Sequence, residues 1–222
     1  MGEGMRTIAF VSLKGGSGKT TLAASLAVAA QAAGERVALI DMDPQGALIA
    51  WAEARGSADI PVARVGAARL PRALAGLAAG GSTLAIVDAP GAEGLAASAA
   101  MAAATLAIVP SRPSLYDVRA SAATRAALTA AQTEFVFVLN QLPPGDLTAR
   151  ARDGIETLAE MGGLIAPPIL ARPDYGEAVR RGRGVAELDP GGAAAEEMGA
   201  LWASVRRRLA GVRPKSRRRR AA

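Results

Sequence analysis

The sequence predicts an α/β fold in which a mostly parallel β-sheet carries helices on both faces. Short apolar runs typical of buried strands alternate with longer segments rich in Ala and Leu that are typical of helices. The apolar runs are continuous, which indicates strands that are buried on both sides. Half of the 222 residues are hydrophobic and cysteine is absent, so the fold must be stabilised by a core rather than by disulfides.

The predicted elements follow one another along the chain. The expected strands are residues 7–12, 36–41, 61–65, 83–88, 105–110 and 134–140. The expected helices are residues 20–33, 47–55, 69–79, 116–131 and 147–161, with a further small-residue helix before the strand at 105. A last helix is expected to dock on the body, because apolar residues fall there at helical spacing: Met198, Leu201, Trp202, Val205 and Leu209. We predict one domain over residues 1–211 and a basic, unfolded tail over residues 212–222.

A glycine-rich loop, residues 14–21, separates the first expected strand from the first expected helix and is called the phosphate loop below. It reads K-G-G-S-G-K-T-T, which is the pattern G-x-x-x-x-G-K-[ST] without its first glycine. Such glycines let backbone N–H groups turn inward around phosphate oxygens, in front of a positive helix N-terminus. We expect Lys19 on the β- and γ-phosphates of ATP and the Thr20 hydroxyl on Mg²⁺. The remaining expected nucleotide-binding residues of the loop are Gly15, Gly16, Ser17, Gly18 and Thr21.

Carboxylates close two of the expected strands. Asp41 and Asp43 follow the second long strand, and Asp88 ends the strand I-V-D. Ligands of parallel sheets lie outside the carboxyl ends of the strands, so these side chains are expected beside the phosphate loop. A single strand-end Asp is more often a turn or a helix cap. We expect Asp88 and Asp41 to support the metal and Asp43 to act on water.

Two of these motifs resemble the deviant Walker A ATPases, which include ParA, MinD and the nitrogenase iron protein. The opening Lys14-Gly15-Gly16 is similar to the lysine signature of that family, and the D-M-D-P-Q of residues 41–45 is similar to ParA proteins in particular. The resemblance covers nearly the whole chain. It implies a P-loop NTPase fold, binding of ATP with Mg²⁺, and a homodimer that forms with ATP.

The resemblance also implies roles for individual residues. Lys14 would cross to the ATP of the partner subunit, and its side chain has no obvious phosphate to contact within its own subunit. Asp43 would orient the attacking water, so Lys14, Lys19 and Asp43 are the expected catalytic residues. Asn140 would lie near the adenine, together with the loop Pro173–Asp174.

The chain departs from the family pattern in two places. Ser12 stands where asparagine is frequent, and Ala89-Pro90-Gly91 replaces a Thr-Pro-Pro. These changes leave the activating partner and the second switch segment open. Only 13 residues precede Lys14, so we expect no N-terminal helix-turn-helix region.

Positive charge is concentrated at the C-terminus. Residues 206–222 hold nine Arg or Lys and no acid, and subtracting them from the net charge of +6 leaves about −3 on the rest of the chain. The expected DNA-binding residues are Arg206, Arg207, Arg208, Arg213, Lys215, Arg217, Arg218, Arg219 and Arg220. Without interleaved aromatics, such a tail suits contact with the phosphate backbone and no reading of bases. A solvated tail and an anionic membrane surface are alternatives, although membrane insertion is disfavoured because only Val212 is bulky and apolar after Leu209.

The leading functional hypothesis is a ParA-like ATPase that segregates plasmid or chromosomal DNA, with hydrolysis stimulated by a ParB-like or cargo-adaptor protein. We expect it in the cytoplasm, associated with the nucleoid. Alternatives are positioning of a protein cargo with the nucleoid as matrix, a MinD-like ATPase at a membrane surface, and a metabolic ligase similar to dethiobiotin synthetase. A reductase of the nitrogenase iron protein type is excluded because it needs cysteines, and the absence of histidine removes the usual Ser-His and Cys-His chemistry.

Overall fold

The computed structural model describes residues 4–212, and it confirms the predicted fold class. Seven parallel strands form one sheet in the order β3-β2-β4-β1-β5-β6-β7. The strands are Arg6–Phe10 (β1), Val37–Asp41 (β2), Val62–Arg64 (β3), Leu84–Asp88 (β4), Leu106–Ser111 (β5), Phe135–Leu139 (β6) and Leu164–Ile165 (β7). The chain extends the sheet to one side of β1 through β2–β4 and to the other through β5–β7, so the direction changes at β1. Ligands of such sheets bind where the strand order reverses.

Helices cover both faces of the sheet. They are Lys19–Ala32 (α1), Ala47–Arg55 (α2), Leu70–Ala79 (α3), Leu95–Ala103 (α4), Leu115–Ala130 (α5), Ala149–Glu160 (α6), Pro173–Arg180 (α7), Val185–Leu188 (α8) and Ala193–Gly211 (α9). A 3-10 turn, Ala67–Arg69, precedes α3. The core on one face joins the sheet to α1, α2, α7, α8 and α9, and the core on the other joins it to α3–α6. Because aromatics are few, both cores are packed mainly with Ala, Leu, Ile and Val.

The register of the central strands brings the predicted site together. Phe10 of β1 and Asp41 of β2 both pair with Asp88 of β4. The three strands therefore end level with one another, and the loops that leave them meet at the carboxyl edge of the sheet. We call this side the nucleotide edge and the opposite side, where the strands begin, the amino edge.

Helix α9 docks as its apolar spacing predicts. The five residues that carried the prediction are all buried, and α9 packs on α1 and α8. The end of α9 lies at the amino edge, where Arg6 donates a hydrogen bond to the carbonyl of Val212 at 2.9 Å. Of the tail predicted to be unfolded, all but Val212 lies outside the described residues. Within residues 4–212, no helix combines the length and apolarity needed to span a bilayer.

One strand and two α-helices were not predicted from the sequence pattern. The strand β7 has only two residues, and α8 has four, so neither is long enough to show a period. Helix α7 begins at Pro173 and contains Gly176, which weakens the helical pattern. The predicted strands and helices are otherwise present with ends within about two residues, as is usual for helix and strand boundaries.

Candidate nucleotide-binding site

The phosphate loop connects β1 to α1 in a conformation that requires glycine. Gly16 and Gly18 have φ values of 75° and 92°, in the left-handed region. A Cβ atom on Gly18 would lie 2.2 Å from Nδ2 of Asn140, so a larger residue would also clash there. Gly18 caps the N-terminus of α1 without a side chain, which leaves the first N–H groups of the helix available to a ligand.

Lys19 begins α1, and its side chain folds back over the loop. Its Nζ donates a hydrogen bond to the carbonyl of Lys14 at 3.3 Å, and the residue is only 7% exposed. Burial lowers the pKa of Lys19, while the charges of Asp88 and Asp43 oppose that shift. An ammonium group held here without an ion pair among the described residues is placed to bind anionic oxygens of a ligand.

Thr20 and Asp88, both expected to support the metal, lie in contact beside the loop. The Thr20 hydroxyl donates to Oδ2 of Asp88 at 2.5 Å, whereas Oδ1 of Asp88 is buried and has no hydrogen-bond partner among residues 4–212. Burial raises the pKa of Asp88 to about 7, the Thr20 hydrogen bond lowers it, and the neighbouring charge of Asp41 raises it further. A buried carboxylate oxygen without a partner is costly, so it needs a cation or a proton in the working protein.

The oxygens of Thr20 and Asp88 fit a magnesium site. Mg²⁺ is usually held by one or two protein oxygens together with waters and the phosphates of a nucleotide. Among the described residues there is no group of three or more His, Cys, Asp and Glu side chains that could hold a metal alone. The donors therefore match a metal that arrives with its nucleotide rather than a permanent protein cage.

Asp41 is fully buried and holds the start of α2. Its Oδ2 accepts hydrogen bonds from the backbone N–H groups of Leu48 and Ile49 at 3.2 and 3.1 Å, and its Oδ1 accepts from Asp43 at 2.9 Å. Its carboxylate is thus a helix cap in this structure, and a metal role for Asp41 stays a prediction. Asp43 is half-buried, and its Oδ1 accepts from the N–H of Gln45 at 2.9 Å. The loop that carries Asp43 lies at the nucleotide edge, so its role toward water also stays a prediction.

The expected adenine contacts lie at the same edge. The buried Asn140 follows β6 and donates from Nδ2 to the carbonyl of Ser17 at 2.8 Å, so its visible role is to support the phosphate loop. A bridge between Leu142 and Leu170 brings the chain back to this edge just before α7 begins at Pro173. The structure therefore brings Asn140 and Pro173–Asp174 to one end of the sheet, and their contact with adenine stays a prediction.

Gly91, in the segment that departs from the family pattern, packs directly on the phosphate loop. A Cβ atom on Gly91 would lie 3.0 Å from Cα of Gly15 and 3.1 Å from Nζ of Lys19. The loop that follows Asp88 is therefore in contact with the group that would bind phosphate. Any larger residue at Gly91 would have to displace the phosphate loop or Lys19.

Lys14 has a partner within its own chain, which the sequence did not indicate. Its Nζ lies 2.8 Å from Oδ2 of Asp117, and Nε of Arg112 lies 3.1 Å from Oδ1 of the same carboxylate. Burial opposes ionisation of Asp117, but hydrogen bonds from Lys14, Ser114 and Arg112 outweigh it and lower its pKa. Asp117 and Arg112 are thus site residues that sequence reasoning missed. The sequence offers only the spacing S-x-x-D at Ser114, which is typical of a helix start and by itself indicates a capping role for Asp117.

The described part of the basic segment lies away from this site. Arg206, Arg207 and Arg208 are exposed near the end of α9, at the amino edge. Arg208 forms an ion pair with Glu134 at 3.1 Å, and Arg207 donates to Ser204 at 2.9 Å. The other expected DNA-binding residues, Arg213, Lys215 and Arg217–Arg220, lie outside the described residues. DNA binding by the segment stays a prediction.

Comparison with known sequences assigns the chain to a family. Residues 8–185 match the family described as CobQ/CobB/MinD/ParA nucleotide binding domain. The chain is 40% identical over 160 residues to the maintenance of carboxysome distribution protein A of Gloeobacter kilaueensis, and the alignment covers 71% of this chain and 72% of that protein.

Two solved structures have the same fold. The Cyanothece McdA(D38A)–ATP complex has a TM-score of 0.78 and 18% identity, and the match covers 97% of this chain and 100% of that chain. The septum site-determining protein MinD complexed with Mg-ADP from Pyrococcus horikoshii has a TM-score of 0.71 and 22% identity, with 96% and 100% covered. The family match covers 178 residues, which is most of the chain. It includes the phosphate loop and the ends of β1, β2 and β4 that form the site. This protein therefore belongs to the CobQ/CobB/MinD/ParA family of nucleotide-binding domains.

Proposed function

We propose that this protein is an ATP-hydrolysing ATPase whose ATP-dependent dimer distributes a protein cargo over a DNA matrix. The observation that carries the proposal is the 40% identity to a carboxysome distribution protein over 72% of that protein's length. This similarity favours the cargo-positioning alternative over segregation of plasmid or chromosomal DNA, which was the leading hypothesis from the sequence. Segregation remains the second candidate, since the D-M-D-P-Q segment resembles ParA proteins in particular.

ATP would be bound by the backbone N–H groups of the phosphate loop, with Lys19 on the β- and γ-phosphates. When bound, Mg²⁺ would neutralise charge on those phosphates and occupy the position next to Thr20 and Asp88. Oδ1 of Asp88 supports this assignment, because it is buried and has no hydrogen-bond partner in the described part of the chain. Asn140 would keep the loop in shape through its bond to the Ser17 carbonyl.

Hydrolysis would depend on Asp43 and on a second subunit. Asp43 would orient the attacking water, and Lys14 would add a cation to the partner's phosphates, where negative charge spreads during phosphoryl transfer. In the single chain Lys14 is bound to Asp117 at 2.8 Å. Dimerisation must therefore exchange this ion pair for the contact with the partner's nucleotide. Because a single subunit lacks that contact, its rate of ATP hydrolysis would be low.

The matrix in this proposal is duplex DNA, bound without sequence preference. Its support is charge: nine cations in residues 206–222, without an acid, suit phosphate contacts that release counterions. Two subunits would present two such segments, which raises avidity by roughly 10²–10⁴. An adaptor protein on the cargo would stimulate hydrolysis and so release the dimer from DNA.

Two experiments test the proposal. The rate of ATP hydrolysis is measured in the presence of duplex DNA, in the presence of proteins that co-purify with this chain in ATP, and in the presence of both. We expect stimulation by both together, whereas stimulation by a small molecule would support a metabolic ligase instead.

In cells, loss of the gene should make a protein cargo cluster while plasmids are inherited normally. Plasmid loss with an evenly spread cargo would favour segregation.

A further inference from the structure

Helix α2 starts at the nucleotide edge, where the end of β2 determines its position. Its N-cap is Gly46, which has no side chain to bind the free N–H groups of the first turn. Asp41 replaces that cap by accepting from Leu48 and Ile49, and the same carboxylate accepts from the N–H of Asp43. The start of α2 is thus hydrogen-bonded to Asp41, which also holds Asp43, the residue expected to orient the attacking water.

The far half of α2 holds a loop between α7 and α8. The indole Nε1 of Trp51 donates to the carbonyl of Arg183 at 3.1 Å, and Nη1 of Arg55 donates to the carbonyl of Gly182 at 3.0 Å. Arg55 also forms ion pairs with Asp59 and Glu187, both at 2.7 Å. Trp51 and Arg55 thus connect α2 to the loop, and Arg55 also connects it to α8.

The backbone of that loop lies directly on its neighbours. Gly182 has a φ of 65°, and a Cβ atom there would lie 2.0 Å from the backbone N of Arg55. A Cβ atom on Gly184 would lie 2.6 Å from Cβ of Val28 in α1. Both glycines thus pack against helices, Gly182 on the end of α2 and Gly184 on α1, so a shift of α2 relative to α1 would disturb residues 182–184.

The same loop carries exposed arginines. Arg180, Arg181 and Arg183 are exposed, and we call residues 180–183 the arginine loop. Arg180 and Arg181 share one carboxylate, Glu177, at 2.8 and 2.6 Å. Arg183 forms no ion pair with any described residue, so these three arginines and Glu177 together carry a charge of +2. Exposed guanidinium groups of this kind bind phosphate oxygens through two parallel N–H bonds.

We infer that the arginine loop is a contact for DNA phosphates and that α2 links its position to the nucleotide. This inference rests on the proposed function, because it takes duplex DNA as the matrix. A nine-residue helix spans about 13 Å, enough to carry a displacement from Gly46 to Gly182. The arginine loop would then act with the C-terminal basic segment, and it would supply the part of DNA binding that depends on ATP within each subunit.

The first test concerns the contact itself and uses the full chain with a random-sequence duplex. Arg183→Ala removes only the side chain, since α2 holds the backbone carbonyl. We expect the affinity for DNA in the presence of a slowly hydrolysed ATP analogue to fall by about 3- to 10-fold, and the slope of log affinity against log salt to decrease by about one. The matched control is Arg72→Ala on the opposite face, an exposed arginine without a hydrogen bond or ion pair among the described residues. Equal affinities of the two variants would overturn the contact.

The second test concerns the link through α2. Trp51→Phe and Arg55→Lys each remove a hydrogen bond to the arginine loop, and exposed Ala50→Ser on the same helix is the control. We expect the ratio of DNA affinities with ATP analogue and with ADP to fall at least about five-fold in both variants. Because linkage is reciprocal, the effect of DNA on ATP affinity should fall by the same factor.

The outcomes separate this inference from the proposed function. A wild-type chain that binds no DNA with either nucleotide would overturn both. The link would be overturned, and the proposed function left intact, if Trp51→Phe and Arg55→Lys kept normal melting temperatures and the wild-type ratio of DNA affinities with ATP analogue and with ADP. An unchanged affinity of Arg183→Ala for DNA, together with a weakened affinity of the same variant for polyglutamate, would overturn the DNA contact and assign the loop to an acidic protein instead.

Discussion

The two edges of the sheet differ in the burial of their charged side chains. At the nucleotide edge, Asp41, Asp88 and Lys19 are buried, and Oδ1 of Asp88 has no partner. At the amino edge, the exposed Arg208 and Glu134 form an ion pair, and the half-buried Arg6 donates to the Val212 carbonyl. Burying charges without full compensation costs stability.

This difference indicates which edge is built for a ligand. At the amino edge, the polar groups are paired through surface contacts. Breaking one of them should change the free energy of unfolding little, since an exposed ion pair usually contributes about 0–1 kcal/mol. The nucleotide edge instead keeps a lysine, a carboxylate and glycines with left-handed backbones in a conformation that only a bound nucleotide and cation would complete. Substitutions at the two edges should therefore differ in what they change: nucleotide binding and hydrolysis at one, and neither of these at the other.

The largest effect is expected at Lys19. Lys19→Ala removes the buried cation of the phosphate loop, and a hydrogen bond to a charged group contributes about 1.5–3 kcal/mol. We therefore expect ATP affinity to fall by about 100-fold in titration calorimetry. Arg208→Ala at the amino edge is the control and should bind ATP like the wild type. Retained ATP affinity in Lys19→Ala would break the contrast between the edges.

The second effect concerns turnover. Asp43→Ala should bind ATP and dimerise, but its DNA- and partner-stimulated hydrolysis should fall by about 100-fold, as expected when a group that positions the attacking water is lost. Phosphate release and ATP binding are measured on the same samples. Normal stimulated turnover would remove Asp43 from the reaction and leave its hydrogen bond to Gln45 as its only role.

The third effect concerns the ion pair between Lys14 and Asp117. Lys14→Ala should weaken the ATP-dependent dimer by about 10-fold or more, while ATP affinity of the single chain stays measurable. Asp117→Asn keeps the lysine and removes its carboxylate partner, so it should strengthen that dimer by a few fold. Sedimentation with ATP and with ADP measures both, and exposed Asp153→Asn is the control. If both variants shift the dimer in the same direction, the ion pair does not compete with dimerisation.

The smallest effect concerns pH and the Asp88 carboxyl. Its pKa is raised from the ordinary value of 3.8 to about 7, so between those values the folded chain binds a proton that the unfolded chain lacks. The free energy of unfolding must then fall as pH rises through this window. Without nucleotide or Mg²⁺, Asp88→Asn should lose this component, and its melting temperature should drop by about 5 °C less than that of the wild type between pH 5 and pH 8. Exposed Asp146→Asn should follow the wild type, and equal slopes for Asp88→Asn would show that the carboxylate is otherwise stabilised.

Local pattern in the sequence determined the fold class and the phosphate loop, and it predicted Thr20 and Asp88 beside that loop. Continuous apolar strands, glycines at a strand-to-helix junction and carboxylates at strand ends each act within about ten residues. Parallel pairing then places all strand ends on one side, so their convergence followed from topology. The same logic identified the buried face of α9 from the spacing of its five apolar residues.

Tertiary structure alone decided the contacts between residues far apart in the chain. Asp117 lies 103 positions from Lys14, and Arg183 lies 132 positions from Trp51. Neither pair produces a periodic pattern in the sequence, because one ion pair or one hydrogen bond constrains only the two residues that form it. Asp41 shows the same limit: the sequence placed it at the site, but only the path of α2 determined that its oxygens bind backbone N–H groups. Charge and periodicity are local properties, whereas the partner of a given charge depends on how the layers pack.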